Sequence, residues 1–156
     1  PDWMKNTFNV LQSGWIGIIS VAVLGPILEE LLFRGSITKV LLQKYSPTKA
    51  ILYSGLIFGI IHFNPVQVVG GVLLGFLFAW LYYKSGSIIP GIVIHIMNNS
   101  LSVYSNINYP GVDYTFQLIG KPAYLVCVLL SVILLLFSLR MLNNSKHFYT
   151  DSTSEV

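Results

Sequence analysis

Apolar residues fill this chain in five long stretches, each closed by a short polar punctuation that carries proline, glycine or serine. Their lengths and boundaries predict five helices. The first runs from about Ser13 to Tyr45, with Pro26 inside it, where a kink or break is expected. Ser46-Pro47-Thr48 opens the second, with Pro47 in its first turn, and it ends near Phe63. Asn64 precedes the third, Pro65 to Tyr83, which Lys84-Ser85-Gly86-Ser87 stops. The fourth spans about Ile88 to Tyr104. A polar loop follows from Ser105 to Gly120. The fifth, Lys121 to Leu142, is apolar throughout its interior, and the polar tail 143–156 is expected to be disordered.

Composition turns these helices into membrane spans. Of 156 residues, 54% are hydrophobic and 10% charged, where a soluble domain carries about 25% charged residues. The predicted fold is therefore all-α, a polytopic transmembrane bundle of five spans. The net charge of +3 is spread over loops and reads as membrane orientation, with the lipid bilayer as partner and no nucleic acid. Lys39, Lys44, Lys49, Lys84, Arg140 and Lys146 fall on one side, Lys5 and Lys121 on the other. The first side is expected to be cytoplasmic, and with it the C-terminus. The chain opens Pro1-Asp2-Trp3-Met4, with neither an initiator methionine nor a signal-peptide n-region. It reads as the C-terminal part of a protein of about eight spans. Cys127, alone in an apolar run, reads as packing.

Glycines pair four residues apart on the second helix, Gly55 and Gly59, and on the third, Gly71 and Gly75. That spacing lets backbones approach closely in lipid.

Against this background the segment GPILEELLFRG stands out, because Glu29, Glu30 and Arg34 sit inside the first span. Each costs about 2.5–3.5 kcal/mol at bilayer depth on insertion scales. Glu30 and Arg34 are spaced i, i+4 in the favourable order for an intrahelical ion pair. Glu29 points about 100° away around the helix, and its own i+4 neighbour is Phe33. It is left as a carboxylate without a helical partner, the kind of group that serves as a general base. A purely structural ion-pair network is the other reading of the cluster. Two further helices carry polar groups: His62 one turn after Phe58, and His95 one turn before Asn99, with Asn98 beside it. Counted from the cytoplasmic ends at about 1.5 Å per residue, the glutamates lie roughly 14 Å deep, His95 roughly 12 Å and His62 roughly 20 Å. A shared intramembrane site is thus possible. A carboxylate and a histidine can polarise water, and a second histidine with an asparagine can donate to an oxyanion. Alternatively, Glu29, His62 and His95 could ligate zinc.

EELLFR, FGIIH and HIMNN, in this order on three membrane helices, resemble the motifs EExxxR, FxxxH and HxxxN of the CPBP family of intramembrane proteases. That family holds the type II CAAX prenyl endopeptidases and bacterial relatives linked to bacteriocin immunity (Abi proteins) or peptide maturation. The resemblance covers about Leu24 to Ser102. It implies a protease domain over 1–142 with its motif core at 24–102, hydrolysing a membrane-associated peptide or protein tail. Glu29 would be the catalytic glutamate, Glu30 and Arg34 its supporting pair with Phe58, His62 a helper in water activation, and His95 and Asn99 the oxyanion donors. The family has been described both as metalloproteases and as metal-independent glutamate proteases. Asn99 suits an oxyanion better than zinc, so no cofactor is expected, with zinc as the alternative. The expected location is a bacterial cell membrane, multi-pass. A non-catalytic immunity or envelope scaffold protein is the competing function, and a proton- or ion-coupled transporter a third.

Overall fold

The computed structural model describes residues 14–62, 65–109 and 116–143. The sequence-based expectations at Ser13, Phe63, Asn64 and Lys5, in the loop interior 110–115, and over 144–156 lie outside the described residues. Every described element is helical, and among the described residues there is no strand. The described residues up to Val103 form one compact unit and those from Tyr104 another.

The first unit begins with α1 (Trp15–Lys44). Pro26 does not break this helix. Proline cannot donate a backbone N–H, and the chain widens into a π turn at Ser20–Leu24 just before it. The Gly25 N–H bonds five residues back, to the Ser20 carbonyl. A second π turn, Phe33–Thr38, follows the glutamates. Helix α2 (Pro47–Ile60) starts as the sequence predicts, with Pro47 in the first turn behind an extended Ser46. Helix α3 (Pro65–Ser85) ends at Gly86, whose φ of 67° is the left-handed conformation glycine adopts without strain. Its N–H caps the Tyr82 carbonyl at 2.8 Å. Helix α4 (Ile89–Asn108) opens with the Ser87 hydroxyl accepting from the Ile89 N–H and continues past the end of the unit.

The glycine pairs do what their spacing predicts. A Cβ on Gly75 would lie 2.8 Å from the Gly55 Cα, and one on Gly71 would lie 3.1 Å from the Gly59 Cα. The backbones of α2 and α3 therefore touch along this stripe, in the way small residues permit in lipid. Helix α1 crosses the pair through buried polar ties: Thr38 Oγ1 and Ser54 Oγ lie 2.7 Å apart, and Arg34 Nη2 donates to the Gly75 carbonyl at 3.2 Å.

In the second unit, α5 (Phe116–Ile119) and α6 (Lys121–Asn143) are separated by Gly120, at a φ of 80°. The described side chains of α6 are exposed and mostly apolar.

The five predicted helical segments are present among the described residues. Among the described residues two stretches, Trp15–Lys44 and Gln67–Ser85, are long and apolar enough to cross a membrane. Helix α2, with 14 residues, measures about 21 Å against roughly 30 Å of hydrocarbon. The 20 residues of α4 include His95, Asn98 and Asn99, which dilute its apolar character.

Candidate active site

The centre of the first unit is polar. Glu30, Arg34, Thr38 and Ser54 are fully buried, and His95 is 4% exposed. The i, i+4 pair forms as spaced: Arg34 Nη1 donates to Glu30 Oε1 at 2.8 Å. The guanidinium carbon sits 4.4 Å from the Phe58 ring centroid, 5.1 Å from Phe78 and 5.7 Å from Phe33. An aromatic cage of this kind attracts a cation electrostatically while excluding water.

His95 links the two glutamates. Its Nδ1 donates to Glu30 Oε1 at 3.2 Å, so one carboxylate oxygen receives both Arg34 and His95. Nε2, at the other side of the ring, lies 3.8 Å from Glu29 Oε2. That gap is too long for a direct hydrogen bond and is the separation at which a small polar group bridges two partners. Glu29 Oε2 is buried and has no hydrogen-bond partner, although the Glu29 side chain as a whole is about a third exposed. Glu30 is therefore held through Oε1 by Arg34 and His95, with its Oε2 likewise buried and without a partner, whereas no such bond ties Glu29 Oε2. Such a pair divides naturally into an orienting group and a proton acceptor.

His62 is placed differently. Its Nδ1 donates to the Phe58 carbonyl at 2.8 Å, one of the acceptors left over where α2 ends. That bond fixes the tautomer and leaves Nε2 as an acceptor. The Phe58 ring, 1% exposed, touches both imidazoles, with centroids 5.3 Å from His62 and 5.7 Å from His95. Asn99 has an unexpected partner: its Nδ2 donates to the Val21 carbonyl at 3.1 Å, while its Oδ1 accepts from Asn98. Among the described residues no three His, Cys, Asp or Glu are grouped so as to hold a metal ion.

Two residues of the site are invisible as chemistry in the sequence. Phe78, fully buried, lies beside the His95 ring at 5.3 Å with planes tilted by 32°, and so fixes the plane of the imidazole. Gly91 leaves room for Glu30, since a Cβ there would sit 2.7 Å from Glu30 Oε2 and 3.4 Å from its Cδ. Because that carboxylate is pinned from two sides, Gly91→Ala is expected to destabilise the protein by about 1–3 kcal/mol through overpacking. Thermal melting in detergent checks this, and an unchanged midpoint would mean that Glu30 can step aside.

The family described as type II CAAX prenyl endopeptidase Rce1-like matches residues 11–101. "Putative membrane peptidase YdiL" of Bacillus subtilis (strain 168) is 37% identical over 95 residues, which are 61% of this chain and 39% of the relative. The chain therefore spans about two fifths of the length of this curated relative. No solved structure matches. The matched region contains all of Glu29, Glu30, Arg34, Phe58, His62, Phe78, Gly91, His95 and Asn99.

Proposed function

Because this chain belongs to the Rce1-like type II CAAX prenyl endopeptidase family, we propose that it is the site-bearing part of an intramembrane endopeptidase, with Glu29 as general base. The observation that carries this reading is the buried, unpartnered Glu29 Oε2 standing 3.8 Å from His95 Nε2. A water beside Glu29 gives its proton to the carboxylate as its oxygen adds to the scissile carbonyl carbon. His95, as an imidazolium, donates through both nitrogens: Nδ1 to Glu30, and Nε2 to the oxyanion that forms. Collapse of the tetrahedral adduct breaks the C–N bond, and the proton held by Glu29 passes to the leaving amine. His62, its tautomer set by the Phe58 carbonyl, offers Nε2 as a second acceptor for the water. The substrate is a membrane-associated peptide or protein tail. A bilayer site suits it, since an extended peptide exposes its carbonyl there with little competing water.

The test is cleavage by purified protein in lipid nanodiscs, using a pool of membrane-anchored peptides in water enriched in 18O. The expected result is one 18O atom in each new carboxylate, with activity kept after dialysis against a chelator. Absence of cleavage across the pool argues against the peptidase reading. Activity lost to the chelator and restored by zinc replaces the metal-free mechanism with a metal-dependent one.

A further inference from the structure

We infer that Asn99 is a positioning residue: it caps a backbone carbonyl orphaned by Pro26 and thereby fixes helix α4, and His95 with it, against α1. In a regular helix the Val21 carbonyl accepts from the N–H four residues on, at Gly25. Here the Gly25 N–H goes to the Ser20 carbonyl instead. The next donor, five residues on, would be residue 26, which is proline and has none. An unmet carbonyl is costly inside a bilayer, and neighbouring helices commonly supply the missing donor. Asn99 supplies it at 3.1 Å. Asn99 lies one turn beyond His95. Two cross-links therefore join α4 to α1: Asn99 to Val21, and His95 to Glu30. The first sets the depth and rotation at which α4 presents His95 between the two glutamates.

The experiment is a double-mutant cycle of Asn99→Ala with Pro26→Ala, purified in detergent. Alanine at 26 restores an N–H. If the π turn persists, that N–H reaches the Val21 carbonyl directly. If the helix reverts to α geometry, the Gly25 N–H does so. In both registers Val21 no longer needs Asn99. The expected result is a fall in melting midpoint of roughly 2–4 °C for Asn99→Ala in the native background, largely absent in the Pro26→Ala background. Additive midpoints overturn the inference, as does an Asn99→Ala variant that fails to fold in both backgrounds. The consequence for His95 rests on the peptidase reading, while the melting cycle does not, so the two can fail separately. In cleavage, a positioning role predicts that Asn99→Ala costs less once Pro26 is alanine. A group donating directly to the oxyanion would lower kcat by the same factor in both backgrounds.

Discussion

Glu29→Gln is expected to lower peptide cleavage by about 10²- to 10⁴-fold, the usual range for loss of a general base, while the protein folds and inserts normally. The two halves of that expectation have one origin. Glu29 Oε2 has no hydrogen-bond partner to lose, and the side chain is partly exposed, so an amide of the same shape leaves the packing intact. What it removes is the ability to take a proton from water. Cleavage rate and melting midpoint, measured on one preparation, separate the effects. Retained cleavage would take Glu29 out of the mechanism. A collapsed midpoint would make Glu29 a structural residue.

Arg34→Met should do the opposite, with stability as the primary loss. Glu30 is fully buried, and Arg34 is its charged partner at 2.8 Å. Removing one member of a buried pair strands the other, at a cost of about 3–5 kcal/mol. The guanidinium also holds the Gly75 carbonyl and fills the cage of Phe33, Phe58 and Phe78, and methionine replaces only the packing part. The double variant Glu30→Gln/Arg34→Met should recover much of the stability, because neither side then carries an uncompensated charge. It should not recover cleavage, since Glu30 also accepts from His95 Nδ1. Denaturant titration in mixed micelles measures the first claim. If the single variant is as stable as the native protein, Glu30 has found another proton or partner, and the pair is not what holds this centre together.

The helices and the ion pair were legible in the sequence for simple reasons. Pro47 and Gly86 mark helix ends through their own backbone constraints, and an i, i+4 acid–base pair meets wherever a helix exists. The glycine stripe of α2 and α3 was legible because close approach in lipid admits few other residue types. The grip on His95 was only half legible. One-dimensional spacing sets Glu29 and Glu30 on different faces but cannot reveal that one imidazole reaches both, because that depends on how α4 crosses α1. Phe78 and Gly91 look like any apolar residue and any glycine until Glu30 and His95 are set against them. Pro26 predicts a kink or break, and the structure answers it with a π turn at Ser20–Leu24. A widened turn and a donor 78 residues away are tertiary solutions that local sequence does not show. His62 was placed by motif, and the structure engages its Nδ1 at a helix end, a bond that spacing to Phe58 allows without announcing.

The length of α1 has a consequence of another kind. Thirty residues extend about 45 Å at 1.5 Å each, and the hydrocarbon layer is roughly 30 Å thick. Even a tilt of about 40°, the upper end of what spans adopt, leaves this helix longer than the layer. One end must therefore stand among lipid headgroups, and Lys39 and Lys44, with their ammonium groups, are the residues suited to that zone. Hydrophobic mismatch then anchors Glu29 and Glu30 at a depth counted from the headgroup plane, and on the peptidase reading proposed above the thickness of the host membrane becomes one of the determinants of which substrate bond comes level with the site.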